Sequence, residues 1–163
     1  MEDVSPLPYI EVGKMIGMLV YLEDLDGKTD VYVLSSDLNL EMDELVNLIK
    51  ISELLGFVTV LEGDLYITRT GKDLVYGDEN KRKIIFKKAL KKLPVFEKII
   101  KILLKSEDKT IQKSRLLSIL SEEMSEDEAS ETLKSLIELG RYAELIGYNP
   151  EDKDVYLDML DEQ

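Results

Sequence analysis

The sequence predicts a mainly α fold with small β-hairpins (α+β), arranged as two tandem winged-helix-like units. Three observations carry that expectation. Amphipathic helical stretches dominate the chain. Two pairs of β-rich runs, each around a turn, follow helical stretches near the middle and near the end. The order helix, short element, helix, hairpin then occurs twice, once on each side of Pro94. The expected division is 1–93 for a first unit with a long C-terminal basic helix, and 94–163 for a second.

The first element is a helix from about Tyr9 to Glu23. Val12, Met15, Ile16, Leu19 and Leu22 follow the three-and-four spacing of a buried stripe, and Asp26-Gly27 ends it in a turn. Val31 to Leu38 is short and reads as strand or brief helix. Met42 to Leu55 is an amphipathic helix, with Leu45, Val46, Leu48 and Ile49 expected inward. Gly56 supplies a residue that tolerates positive φ just past its end. Phe57 to Leu61 and Leu65 to Thr68 flank Glu62-Gly63-Asp64 as a hairpin. Thr68-Arg-Thr-Gly71 opens a helical stretch to about Leu93, with a weak point at Gly77-Asp78.

Beyond Pro94 the pattern recurs. Phe96, Ile99, Ile100 and Leu103 mark one helix, and Lys113 to Leu120 a short second one. Ser125-Glu-Asp-Glu128 has the spacing of a capping box, in which serine and glutamate each satisfy a free amide. The helix it opens runs through Leu133, Leu136 and Ile137 to Gly140. Tyr142–Tyr148 and Val155–Leu157 flank the turn Asn149-Pro150-Glu151-Asp152 as a second hairpin. Pro8, Glu11 and Gly56 correspond roughly to Pro94, Glu97 and Gly140. Glu23-Asp24 with Lys28-Thr29 resembles Glu107-Asp108-Lys109-Thr110.

Composition narrows the chemistry. The chain has 163 residues, with neither cysteine nor histidine. Disulfides and thiolate sites are excluded, and the commonest general base and metal ligand near neutral pH is missing. No run approaches the roughly 18 apolar residues of a membrane span. The N-terminus lacks the basic and apolar regions of a secretory signal, so a cytoplasmic location is expected. Charged residues make up 34%, with few Asn and Gln, a balance that leans toward a thermophilic source.

Motifs that invite chemistry fail on inspection. Gly27-Lys28-Thr29 suggests a phosphate loop, but Leu22 stands where the motif needs glycine. A calcium loop with Gly27 sixth would begin at Leu22 and end at Val33, where carboxylates are required. The many paired acids read as surface charge, and no nucleophile is matched to a base. No catalytic residue, cofactor or metal is expected, and the chain reads as a non-enzyme.

Charge is the sharper signal. The net charge is −13, yet Lys81 to Lys105 holds ten Lys/Arg and one acid, Glu97. On a helix, Ile85, Phe86, Ala89, Leu90 and Leu93 share one side. Lys83, Lys87 and Lys91 line another, with Lys88 and Lys92 beside them. Three readings stand: a solvated face, a docking face for an acidic protein or for the chain's own acidic half, and a phosphate-binding face. The helices that would enter a DNA groove, Met42–Leu55 and Glu126–Leu139, are acidic and would be repelled by phosphates. Nucleic acid is therefore an unlikely or weak partner, a protein partner is favoured, and a homo-oligomer stays open.

Leu40-Glu-Met-Asp-Glu-Leu45, Glu53-Leu-Leu-Gly-Phe57, Glu62-Gly-Asp-Leu65, Thr68-x-x-Gly71-Lys72 and Gly140-Arg-Tyr-Ala-Glu-Leu145 together carry a family resemblance. The chain resembles, from about Tyr9 to Leu157, the AAA-associated C-terminal domain. That domain follows the ATP-binding subunit of some nitrate-, sulfonate- and taurine-type ABC transporters, and it also stands alone, notably in archaea. The resemblance implies an accessory or regulatory protein-interaction module whose partner is an ABC-type ATPase. It brings no catalytic residues. The alternative is a winged-helix DNA-binding transcriptional regulator.

Overall fold

The computed structural model describes residues 4–158. They fall into two compact units, one formed by Ile10–Ile85 and the other by the N-terminal segment through Tyr9 together with the chain from Phe86 onward.

The 10–85 unit begins with α1 (Val12–Asp24), which buries Val12, Met15, Met18, Leu19 and Leu22. β1 (Lys28–Asp30) leads directly into α2 (Val31–Leu38), whose first turn is capped by the Asp30 carboxylate accepting from the Tyr32 amide. The ambiguous 31–38 segment is thus helical: a short side chain that caps outcompetes the β-branched preference of Val31 and Val33. α3 (Met42–Leu54) buries Leu45, Leu48, Ile49 and Ile51, whereas Val46, expected inward, is 49% exposed. β2 (Val58–Leu61) and β3 (Asp64–Ile67) form the hairpin. Its two-residue tip has Glu62 and Gly63 both at positive φ, the backbone twist that suits a tight hairpin. β1 adds to the far side of β3, making a three-stranded antiparallel sheet of order β1-β3-β2. α4 (Arg69–Tyr76) follows, then α5 (Glu79–Lys91), with the break at Gly77-Asp78 where the sequence is weakest.

α6 (Pro94–Lys105) starts on proline, which loses nothing at a first helical position. A 3-10 turn at Glu107–Lys109 leads to β4 (Thr110–Gln112) and α7 (Lys113–Leu120). α8 (Glu126–Tyr142) opens on the expected capping box: Ser125 Oγ accepts from the Glu128 amide at 3.1 Å and Glu128 Oε1 accepts from the Ser125 amide at 3.0 Å. The helix outlasts the expected stop at Gly140 by two residues, so β5 is only Ile146–Asn149, paired with β6 (Asp154–Leu157). The second sheet is again three-stranded, in the order β4-β6-β5.

The internal likeness of the two units lies in their hydrogen bonds. The amide of Phe57 donates to Ser52 O after α3, and that of Leu145 donates to Gly140 O after α8, both at 2.9 Å. The residue just before each is left-handed, Gly56 (φ 83°) and Glu144 (φ 59°). Val31 donates to Gly63 O and Lys113 to Lys153 O, tying the helix after the first strand to the hairpin tip in each unit. The true counterpart of Gly56 is therefore Glu144, not Gly140. Likewise Asp26-Gly27, both at positive φ, match Asp108-Lys109. The copies keep the backbone turn while the glycine that eases it has been replaced.

Candidate docking face

Asp78 starts the basic helix, its side chain accepting from the Lys81 amide at 2.8 Å. Glu79 lies in the first turn and Lys88 and Lys91 in the last, each complementing the helix dipole. Phe86 and Leu90 are fully buried and Leu93 nearly so, while Ile85 and Ala89 are half-buried. The apolar side anticipated from the spacing is therefore present, anchored by Phe86 meeting Tyr142 edge to face at 5.0 Å between ring centres. Ile84 is 55% exposed.

The five lysines separate by environment. Lys88 and Lys92 are exposed, and Lys92 sits in the turn just beyond the helix. Lys83, Lys87 and Lys91 are half-buried, and neither Lys83 nor Lys91 is without a partner. Lys87, Lys88 and Lys92 form no ion pair among the described residues. Arg82, from the same basic run, has a structural task. Its guanidinium donates to Leu74 O and Val75 O, both at 2.9 Å, and so caps the end of α4.

The basic run continues along α6. Lys98 pairs with Glu123, and Lys101 with Glu97 at 3.2 Å, so these two charges are locally neutralised. They rim a groove of about 540 Å³ whose apolar wall includes Val4, Pro94 and Ile102. Lys105 lines it without an ion-pair partner among the described residues.

Perturbed protonation occurs elsewhere, in the 10–85 unit. The Glu44 carboxylate beside Lys14 holds its ammonium pKa above the ordinary value, and the phenol of Tyr66 does so for Lys28, helped by Asp64. A hydrogen bond to Asp37 raises Tyr21, and one to Glu23 raises Tyr76. All four are pushed toward their protonated forms, the wrong direction for a base near neutral pH. Among the described residues no group of three or more Asp or Glu is placed to hold a metal ion. No helix of the described residues is long and apolar enough to cross a membrane.

The recurring sequence motifs serve the joint between helix and hairpin. Thr68 accepts from the Gly71 amide at 3.0 Å and donates to Gly56 O at 2.6 Å, so one hydroxyl links two backbone segments. A β-carbon on Gly71 would stand 2.2 Å from Phe57 O, and one on Gly140 would stand 2.5 Å from Ile146 Cγ1. Both glycines let a helix lie close against the strand that follows or precedes it.

Fold and motifs together define a mainly α accessory-type domain with two small sheets and no assembled catalytic centre among the described residues. Residues 32–149 match the sequence model of the C-terminal AAA-associated domain, and the chain belongs to that family. The match starts at α2 and stops at the end of β5, a narrower span than Tyr9–Leu157, and it contains every motif that carried the resemblance. Among curated proteins and solved structures, none matches the chain.

Proposed function

We propose that this protein is a non-catalytic accessory module that docks onto an ABC-type ATPase subunit and regulates it, using the cationic face of α5. The observation that carries this reading is the family match over residues 32–149. The order of helix, strand, two helices and hairpin in each unit supports winged-helix-like building blocks. The partner surface is acidic in this reading, because Lys87, Lys88 and Lys92 have no internal counter-charge.

The basic helix and the element order favour one rival, a DNA-binding regulator. Against it, α3 exposes Asp43 and Glu53, and α8 exposes Glu126, Asp127, Glu128 and Glu131 where phosphates would approach. An anisotropy titration with duplex DNA at about 150 mM salt should therefore give no complex tighter than roughly 10⁻⁶ M.

The test of docking is charge reversal of Lys87, Lys88 and Lys92 to Glu. Exposed lysine changes shift stability by under about 0.5 kcal/mol each, so the melting temperature should hardly move. Association with a purified ABC-type ATP-binding subunit from the same source should slow by at least about tenfold at low salt, with a smaller effect at high salt. If the unmodified protein does not bind that subunit, or if reversal leaves the rate unchanged, the docking role is wrong.

A further inference from the structure

The 10–85 sheet has two edges of opposite character. In the β2–β3 pair, the amide of Thr68 donates to Phe57 O at 3.0 Å, and the register pairs Thr59 with Tyr66 and Leu61 with Asp64. Hydrogen-bonded and non-bonded pairs alternate in an antiparallel ladder. Phe57, Thr59 and Leu61 therefore point their backbone groups at β3, and Val58 and Val60 point theirs outward. Neither Val58 nor Val60 has a further partner among the described residues. The β1 edge is three residues long, carries Lys28 and Asp30, and ends at once in α2. Charge and brevity of this kind protect an edge from pairing. The β2 edge has neither: it reads Val-Thr-Val-Leu, with Val60 38% and Leu61 60% exposed.

The equivalent strand of the other unit differs. β5 buries Ile146 and Gly147 and half-buries Tyr148 and Asn149, while β2 exposes its last three residues. Exposed apolar side chains also concentrate in the same unit. Eight of the ten among the described residues lie between Tyr32 and Ile84. Tyr32 and Val33, exposed at the start of α2, are held beside the hairpin tip by the Val31 to Gly63 hydrogen bond.

We propose that the outer edge of β2 is a docking site for an extended, basic segment of a protein partner, which joins the sheet as a fourth strand. The unpaired groups of Val58 and Val60 require a strand, because only an extended backbone presents donors and acceptors at that spacing. The charge of the occupant follows from the two ends of β2. Glu53 stands in the last turn of α3 leading into the strand, and Glu62 follows Leu61 directly. Both are exposed and form no ion pair among the described residues. Apolar side chains at alternate positions with Lys or Arg at the ends complement this edge. A second copy of the chain does not: antiparallel pairing would bring Glu62 of one molecule to the Glu53 end of the other, between chains of net charge −13.

The probe is a blocked peptide of alternating Thr and Val with Lys at both ends, compared with the same peptide ending in Glu. In the protein alone, the amides of Val58 and Val60 should exchange freely while that of Thr59 is protected. Saturating Lys-ended peptide should protect both valine amides, and the Glu-ended peptide should bind at least about tenfold more weakly. Val60→Pro removes the outward donor and should cost at least about tenfold in affinity. Leu61→Lys leaves the backbone intact and should narrow the preference for the Lys-ended peptide, a readout that survives if the proline variant misfolds. The proposal is overturned by slow exchange at Val58 and Val60 in the protein alone, by no protection at saturating peptide, or by equal affinity for the two peptides. Self-association in sedimentation that Leu61→Lys abolishes would instead assign the edge to a second copy.

Discussion

Thr132 joins parts of the chain 125 residues apart. It is fully buried in α8, accepts from the Leu7 amide at 2.9 Å and donates to Leu7 O at 3.4 Å. Next to it, Glu131 Oε1 accepts from the Tyr9 amide at 3.0 Å, and the Lys134 ammonium lies 4.1 Å from the centre of the Tyr9 ring. Residues 4–9 are thereby held along α8. Thr132→Val preserves shape but leaves a buried amide unsatisfied. It should cost about 1–3 kcal/mol in denaturant unfolding, with faster exchange at the Leu7 amide. None of this was legible in the sequence. A lone threonine on a helix carries no mark of its partner, and Tyr9 reads as the start of a helix that begins only at Val12. Val46 misleads for a related reason: it adjoins Leu45 in the sequence, but the 100° step between neighbours turns it out of the core.

At the scale of elements, the joint between helix and hairpin is the least forgiving part of the fold. At Gly71 the obstacle to a β-carbon is the carbonyl of Phe57, which no rotamer change can move. At Gly140 the obstacle is the side chain of Ile146, which can turn aside. Gly71→Ala should therefore destabilise by about 3 kcal/mol, the upper end for overpacking, and Gly140→Ala by less. Part of the second cost is offset by the roughly 1 kcal/mol that alanine gains over glycine inside a helix. Melting both variants under the same conditions checks the order. Long amphipathic helices, the capping box at Ser125 and the Glu62-Gly63 hairpin were legible because each is encoded within a few residues. β1 and β4 were not. Each has three residues, and each is defined only by pairing with β3 or β6, more than thirty residues further on. The Gly56–Gly140 correspondence failed because conformation, not residue type, is what the two units share.

For the molecule as a whole, charge sets the response to pH. Lys14, Tyr21, Lys28 and Tyr76 all have folded-state pKa values raised above their ordinary ones. A raised value means the folded state holds the proton more tightly. The associated stability is then full below the unfolded-state pKa and is lost as pH rises through the folded one. All four lie between residues 14 and 76, so the 10–85 unit should weaken above about pH 10 before the other unit does. Tyrosinate absorbance followed together with amide signals from each unit would reveal the order. Simultaneous loss of both units would contradict it.

The segment at residues 4–9 has a further consequence, for the way the chain is made. Every hydrogen bond that shapes the 10–85 unit joins residues that leave the ribosome close together, and that unit can close while synthesis continues. Leu7 must wait for Thr132, and so for more than a hundred further residues to emerge. The first ordered stretch to be translated is thus among the last to find its place. Until then Val4, Leu7 and the groove-lining side of α6 stay open to whatever meets the nascent chain.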